Sequence, residues 1–124
     1  MQDRKHPLTE KELEIMEVVW RGGAVTVRDV YEEILTHRKV AYTTVMTVMK
    51  TLEKKGHLKV SQGERAYTYS ATRPKNQVIK GMVREFVERV FHGSTRPLLV
   101  HLLEDQKLSE ADLKEIARLT GKEK

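Results

Sequence analysis

Hydrophobic positions in the first half of the chain recur with a helical period and then change to a strand-like pattern. Apolar side chains recur every three or four positions in three segments, 13–20, 27–35 and 45–52, and each segment predicts a short amphipathic helix. Two short strand-like runs, 57–61 and 65–70, follow on either side of a glycine-containing turn and predict a β-hairpin. Three short helices followed by a hairpin indicate a winged helix-turn-helix domain, in which the hairpin is the wing.

Capping residues mark the limits of the first two helices. Thr9 and Glu12 have the spacing of a capping box, and two glycines end the first helix. Val25 leaves room for one short β-bridge, and the pattern of Thr26 and Asp29 then repeats the capping signal. A four-residue polar turn precedes the third helix, which is the length expected between two helices that cross steeply.

The pattern changes at Thr72-Arg73-Pro74, which separates a winged DNA-binding domain, 1–72, from a C-terminal region, 73–124. Three amphipathic helices are predicted there, over 76–91, 95–104 and 109–119. About fifty residues are close to the lower limit for independent folding, so the apolar faces need a partner. These faces carry Val78, Met82, Phe86, Val90, Leu98, Leu99, Leu102, Leu103, Leu113 and Ile116.

Two arrangements would cover these faces. The C-terminal helices could pack back onto the winged domain, or two copies of the chain could form a homodimer through them. We prefer the homodimer, because helix-turn-helix proteins commonly read two half-sites with two-fold symmetry. The predicted architecture is therefore mainly α with a small β-hairpin wing, a winged helix-turn-helix domain followed by a helical dimerisation arm.

Composition narrows the possible functions. The chain has 124 residues, a net charge of +5 and a hydrophobic fraction of 39%, so it can form a modest core and permits a nucleic-acid partner. It has no cysteine, which excludes a disulfide scaffold, a thiol catalyst and a cysteine-based metal site. The sequence shows neither a signal peptide nor a membrane-span pattern, so we expect a cytoplasmic protein with no membrane partner.

Patterns typical of enzymes are missing from the sequence. The five histidines do not have metal-ligand spacing, the serines lie in turns or caps, and the glycines form no phosphate loop. The carboxylates of the predicted helices, Glu12 and Glu14 among them, are interpreted as ordinary solvated charge. We therefore expect no enzymatic activity, no metal and no cofactor.

Positive charge is concentrated around the third helix. Residues 10–33 carry three basic and seven acidic side chains, a net of −4, whereas residues 37–65 carry seven basic and two acidic side chains, a net of +5. This second stretch contains AYTTVMTVMKTLEKKGHL, at 41–58. Arg38 and Lys39, in the turn before it, are at most peripheral phosphate contacts.

The third helix divides its side chains between two faces. At about 100° per residue, Val45, Val48, Met49 and Leu52 share one arc. The opposite face carries Thr43, Thr44, Thr47, Lys50, Thr51 and Lys54. β-Branched residues are weaker helix formers than alanine, so four threonines on an open face lower the helix propensity of this segment. Their presence therefore needs an explanation.

DNA recognition supplies such a reason. Short hydroxyl side chains let a helix enter the major groove deeply and bond to phosphate oxygens or base edges, while lysines neutralise backbone charge. Thr43 and Thr44 also lie near the helix N-terminus, which suits a phosphate. Thr44 and Thr47 are our first candidates for base contacts, against the simpler alternative of a solvated face.

Several neighbouring residues extend this predicted DNA-binding surface. Tyr42 either donates a hydrogen bond to a phosphate or packs the turn, and both interpretations stay open. Arg65 in the wing is placed for a phosphate or minor-groove contact, unless it is a solvated strand charge. Arg28, at the start of the second helix, is a candidate backbone contact. Tyr67 and Tyr69 share one strand face and are expected in the core of the wing.

Five segments of the chain resemble the penicillinase-repressor (BlaI/MecI/CopY) family of bacterial winged-helix repressors. They are LTEKELEIMEVVW at 8–20, AYTTVMTVMKTLEKKGHL at 41–58, ERAYTYSA at 64–71, FHGSTRPLLVHLLED at 91–105 and LSEADLKEI at 108–116. The resemblance implies a homodimer with intertwined C-terminal helices that occupies a palindromic operator and blocks transcription until induced. It also implies that Thr43 to Lys54 read the major groove and that Arg65 in the wing meets the DNA backbone.

Two features depart from the family pattern. Antibiotic-resistance members are inactivated when a membrane sensor triggers cleavage of an Asn-Phe bond in the long helix, whereas here Glu85 precedes Phe86. Copper-responsive relatives carry C-terminal cysteines, and this chain has none. The sequence therefore does not identify the sensor or protease that would induce release from DNA.

The predicted function is a sequence-specific transcriptional repressor whose partners are double-stranded operator DNA and a second copy of the chain. Two alternatives remain at this stage. One is a winged-helix module that binds protein, in which the threonine face is only solvated. The other is a non-specific architectural DNA-binding protein, which would bind any duplex with similar affinity.

Overall fold

The computed structural model of the chain describes residues 7–105 and 108–120, so His6 and the polar tail 121–124 lie outside the described residues. This part of the chain forms six helices and one antiparallel pair of strands, which confirms the predicted fold class. The elements are α1 (Glu10–Gly22), α2 (Val27–Leu35), α3 (Tyr42–Lys54), β1 (Leu58–Gln62), β2 (Tyr67–Ala71), α4 (Lys75–Phe91), α5 (Thr95–Asp105) and α6 (Glu110–Thr120).

The first two helices begin at the predicted capping residues. Thr9 Oγ1 accepts a hydrogen bond from the Glu12 N–H at 3.2 Å, and Glu12 Oε1 accepts one from the Thr9 N–H at 2.9 Å. Thr26 and Asp29 form the same reciprocal pair, with both distances at 3.0 Å. Each pair satisfies two donors for which the helix offers no partner. Gly23, with φ at 85°, ends α1 in a conformation that favours glycine.

The core of the winged domain lies where α1, α2, α3 and β2 meet. Val45, Met49 and Leu52, from the predicted apolar stripe of α3, are at most 1% exposed. The sequence predicts an apolar stripe of Leu13, Met16, Val19 and Trp20 on α1, and this prediction was incomplete because Ile15 and Val18 are also buried. The largest fully buried side chains are Met16, Val19, Val30, Ile34, Val45, Met49 and Leu52.

The hairpin is tied to the helical core through Tyr69. Its N–H donates to Val25 O at 2.6 Å and its carbonyl accepts from the Val25 N–H at 2.9 Å, which confirms the predicted β-bridge. Tyr69 is 6% exposed and lies in the core, as predicted. Tyr67 is 60% exposed, so its prediction was wrong. The reason is its register, because it pairs with Gln62 at the turn end of the ladder, away from the Val25 bridge.

Glu12 is buried, which corrects its interpretation as solvated charge. It precedes Ile15 and Met16 by three and four positions and is therefore on the core side of α1. Lys55 Nζ donates to both of its carboxylate oxygens, at 2.9 and 2.8 Å, and so joins the start of α1 to the end of α3. Burial acts to raise the pKa of Glu12, but hydrogen bonds from Lys55 and from the Thr9 N–H outweigh it and the pKa is lowered.

The C-terminal helices bury little of their apolar surface. The chain divides into two compact units within α4, Met1–Met82 and Val83–Lys124, and the predicted domain limits at residues 72 and 73 stay a prediction. Across the described residues of the second unit, Val87 is the only buried hydrophobic side chain. Five of the predicted dimerisation residues there are exposed: Phe86, Val90, Leu99, Leu102 and Ile116.

Replacing Glu12 with Gln is expected to lower the free energy of unfolding by roughly 2–4 kcal/mol, because Lys55 loses its counter-charge. The Lys55 side chain is 20% exposed, so residual solvation keeps the cost below that of a fully buried charge. Glu10→Gln, an exposed change in the same first turn, is the matched control and is expected to cost less than about 0.5 kcal/mol. Urea unfolding followed by circular dichroism at pH 7 measures both. Equal effects in the two variants would contradict a stabilising ion pair.

The same pair predicts how stability depends on pH. Because the folded pKa of Glu12 lies below its usual value of 4.5, its contribution is present above that pH and is lost as pH falls through the folded pKa. The stability difference between the wild type and Glu12→Gln should therefore be constant from about pH 6 to 8 and shrink below about pH 4.5. A difference that does not change down to pH 3 would show that the carboxylate is not responsible.

Candidate nucleic-acid interface

The two faces of α3 have the exposure that its sequence predicts. Its apolar face is buried in the core, whereas the threonines and lysines point away from it. Thr51 is half-buried, and the other five members of this set are exposed: Thr43, Thr44, Thr47, Lys50 and Lys54. Thr47, Lys50, Thr51 and Lys54 also line one shallow depression, together with Glu53. The helix therefore presents a continuous hydroxyl and ammonium surface, for which DNA contact stays a prediction.

The N-terminus of α3 has no side-chain cap. Ala41 occupies the N-cap position and has no side chain that accepts a hydrogen bond, whereas threonines cap α1 and α2. Its carbonyl accepts from the N–H groups of Thr44 and Val45, at 3.1 and 3.2 Å. Thr43 and Thr44 are exposed on this first turn. Backbone donors and the positive end of the helix dipole thus coincide with two hydroxyl groups, an arrangement suited to a phosphate.

Two basic residues next to α3 are engaged by acidic residues of α1. Arg38 donates from Nε to Glu14 Oε2 at 3.1 Å and from Nη2 to Glu14 Oε1 at 2.7 Å, a two-point contact. The hydrogen bond from Arg38 lowers the pKa of Glu14. Lys55 is held by Glu12 in the same way. Part of the positive charge counted around α3 is therefore neutralised within the fold, and Glu14 is not the solvated charge that we expected.

Tyr42 packs against α2. Its ring meets the Tyr31 ring edge-on, with the centroids 5.4 Å apart and the planes at 81°. Arg28 Cζ lies 5.8 Å from the centroid of the Tyr42 ring, and Arg28 Nη1 is 3.4 Å from Glu32 Oε2. Tyr42 is nevertheless 38% exposed. The structure therefore shows the packing role, and a phosphate contact by Tyr42 or Arg28 stays a prediction.

Arg65 lies in the turn of the hairpin rather than in a strand. The turn is closed by the Gly63 N–H, which donates to Ala66 O at 3.0 Å. Arg65 is exposed there, and Lys59 is exposed on β1. The sequence analysis did not single out Lys59, although its alternation with the buried Leu58 could have indicated an outward position.

The described residues offer no metal site and no membrane span. They contain no group of three or more His, Asp or Glu side chains that could hold a metal ion. Among the helices of residues 7–105 and 108–120, none combines the length and apolar character needed to cross a bilayer.

Comparisons with known proteins agree on one family. The family model described as Penicillinase repressor matches residues 8–122. The transcriptional regulator BlaI of Mycobacterium tuberculosis is 35% identical over 107 residues, which are 85% of this chain and 78% of that protein. The penicillinase repressor of Bacillus licheniformis is 23% identical over 117 residues, which are 94% of this chain and 91% of that protein.

Solved structures share the fold. The DNA-binding domain of the repressor BlaI aligns with 56% of this chain and 84% of that domain, at 25% identity and a TM-score of 0.51. The monomeric form of Bacillus licheniformis BlaI in complex with the blaP half-operator aligns over the same shares, at 25% identity and a TM-score of 0.50. A transcriptional regulator of Thermotoga maritima, Tm0710, aligns with 98% of this chain and 84% of that chain, at 20% identity and a TM-score of 0.53.

These results confirm the resemblance on which the sequence analysis relied. The matched family consists of transcriptional repressors rather than enzymes, and its solved members have winged-helix DNA-binding domains. The chain belongs to the penicillinase repressor family of DNA-binding transcriptional regulators.

Proposed function

We propose that this protein is a cytoplasmic, homodimeric repressor that binds a palindromic operator with α3 in the major groove. The two-faced arrangement of α3 is the observation that carries this proposal. Val45, Met49 and Leu52 anchor the helix, so its threonine and lysine face is held outward on a rigid support. A slim hydroxylated face can approach base edges that a face of long side chains would hold at a distance.

The open face of α3 makes two kinds of contact with DNA, to base edges and to phosphates. Thr44 and Thr47 read base edges, because their hydroxyl groups can donate or accept and their methyl groups can meet a thymine methyl group. Lys50 and Lys54 neutralise phosphates beside the groove. The remaining contacts are to the DNA backbone: Arg28, Tyr42, Thr43, Thr51 and Arg65.

The homodimer is proposed because several large apolar side chains of the second unit are exposed. The helices α5 and α6 contain no buried residue, and Leu99 and Ile116 are 47% and 46% exposed. Several large apolar side chains left exposed on two neighbouring helices of the chain are typical of an interaction site, and a second copy can cover them with two-fold symmetry. The other proposed interface residues are Val78, Met82, Phe86, Val90, Leu98, Leu102, Leu103 and Leu113, to which the structure adds the 73% exposed Leu119.

Replacing Thr47 with Ala is expected to weaken operator binding about fivefold or more while changing the affinity for random DNA less than about twofold, because a base contact is lost. The operator is first selected from random-sequence DNA with the wild-type protein, and fluorescence anisotropy titrations give the two affinities. Thr95→Ala removes an exposed threonine of α5 and is the matched control. The same loss on operator and random DNA would contradict base reading by Thr47.

Replacing Lys54 with Ala is expected to weaken binding to every duplex, because a phosphate contact does not depend on sequence. The slope of log affinity against log salt concentration should become shallower by about one unit. Lys114→Ala, which removes an exposed lysine of α6, controls for the change in net charge. An unchanged salt slope, or the same change in the control, would remove Lys54 from the interface.

A further inference from the structure

The residues between the wing and α4 are held at several points. Thr72 Oγ1 donates a hydrogen bond to Gly56 O at 2.7 Å, and the Thr72 N–H donates to His57 O at 3.0 Å. Pro74 fixes its own φ and restricts the residue before it. Its carbonyl accepts from the Val78 N–H at 3.3 Å, so the helical hydrogen bonds begin immediately after the connection. The connection is therefore a constrained turn rather than a flexible linker.

Two side chains of α1 hold the next residues. The Trp20 indole Nε1–H donates to Arg73 O at 3.1 Å, and Glu17 Oε1 lies 2.8 Å from Lys75 Nζ. Trp20 and Glu17 are three positions apart and so lie on the same side of α1. The Trp20 ring also packs partly buried against the core of the winged domain. Two side chains of α1, which is part of the core, therefore restrain the start of α4.

A change in the direction of α4 at its first residue displaces the residues further along the helix. Its first two turns belong to the same compact unit as the winged fold, and the helix continues without a break to Phe91. The part of α4 in this unit, Lys75–Met82, is about 12 Å long, so a tilt of about 10° at Lys75 moves its end by about 2 Å. This displacement is more than half of one base-pair step along DNA, which is about 3.4 Å.

We propose that Trp20 and Lys75 are positioning residues that fix the direction of the first two turns of α4 within the winged unit, and so contribute to the half-site spacing that the repressor accepts. The inference rests on the proposed function, since it requires two winged domains joined through the C-terminal units. Neither side chain needs to touch DNA for this role. The Trp20 Nε1–H restrains the backbone at residue 73, and Lys75 restrains the first turn of the helix.

Operators with systematically varied spacing test this role on the full-length protein. Each operator carries two copies of the half-site that the wild type selects, separated by spacers that differ by one base pair, and an isolated half-site is the reference. The variants are Trp20→Phe, which keeps an aromatic ring but loses the donor, Lys75→Ala, and both together. Lys80→Ala removes the same charge from an exposed site on the same helix and is the control. Fluorescence anisotropy at one salt concentration gives the affinities, and sedimentation velocity gives the oligomeric state.

The wild type should prefer one spacing, and in the double variant its discrimination against spacers one base pair longer or shorter should fall about tenfold, in line with two lost hydrogen bonds. Affinity for the isolated half-site should stay within about twofold, and Lys80→Ala should keep the wild-type profile. Unchanged spacing profiles in all variants would overturn the positioning role. So would an equal loss at every spacing and at the isolated half-site, which indicates a folding defect or a direct DNA contact.

Measurements on the wild type alone distinguish a failure of the proposed dimeric repressor from a failure of the positioning role. A monomeric wild type, or one that binds all spacings equally, would overturn the proposed dimeric repressor and the positioning role with it. A dimer with a clear spacing preference that the variants retain would overturn only the role of Trp20 and Lys75. Lys75→Ala changes an exposed ion pair, so it keeps the test valid even if Trp20→Phe does not fold.

Discussion

Burial of one face of α3 is the constraint on which the rest of the winged domain depends. Val45, Met49 and Leu52 occupy the centre of the core, and α1, α2 and β1 pack around them. Since three positions fix the rotation of a helix about its axis, the same contacts that stabilise the fold decide which side chains face outward. The surface proposed to bind DNA is thus determined by packing on the opposite side of the helix.

The acidic character of α1 has a structural use. Glu12, Glu14 and Glu17 each engage a basic side chain from another part of the winged unit, and these partners are Lys55, Arg38 and Lys75. The acidic stretch therefore acts as internal counter-charge for part of the basic stretch. The net charge of a segment consequently overstates the charge available to phosphates.

Local features of the sequence predicted much of the fold. Capping boxes, helix faces and glycine stops depend on neighbours within a few positions, so Thr9, Thr26 and the two faces of α3 were assigned correctly. Glu12 and Tyr67 were assigned wrongly, because burial of the first depends on Lys55, 43 positions away, and exposure of the second depends on strand register. The Trp20 contact with the backbone at Arg73 spans 53 positions and left no local pattern to find. Contacts with DNA depend on a partner whose sequence this chain does not contain.

Because α3 lacks a capping side chain, the order of its outer face depends on the stability of the core. α3 lacks a capping side chain and carries four threonines on its open face, so little of its helicity comes from its own sequence. Its order is supplied by tertiary packing, as is common for short helices. A substitution that loosens the core at Met16 or Ile34, on the other side of the helix from the threonine face, therefore also disorders the surface proposed to bind the operator. If the proposed function holds, such a change would appear in a cell as temperature-sensitive derepression, although none of the residues proposed to contact DNA had been altered.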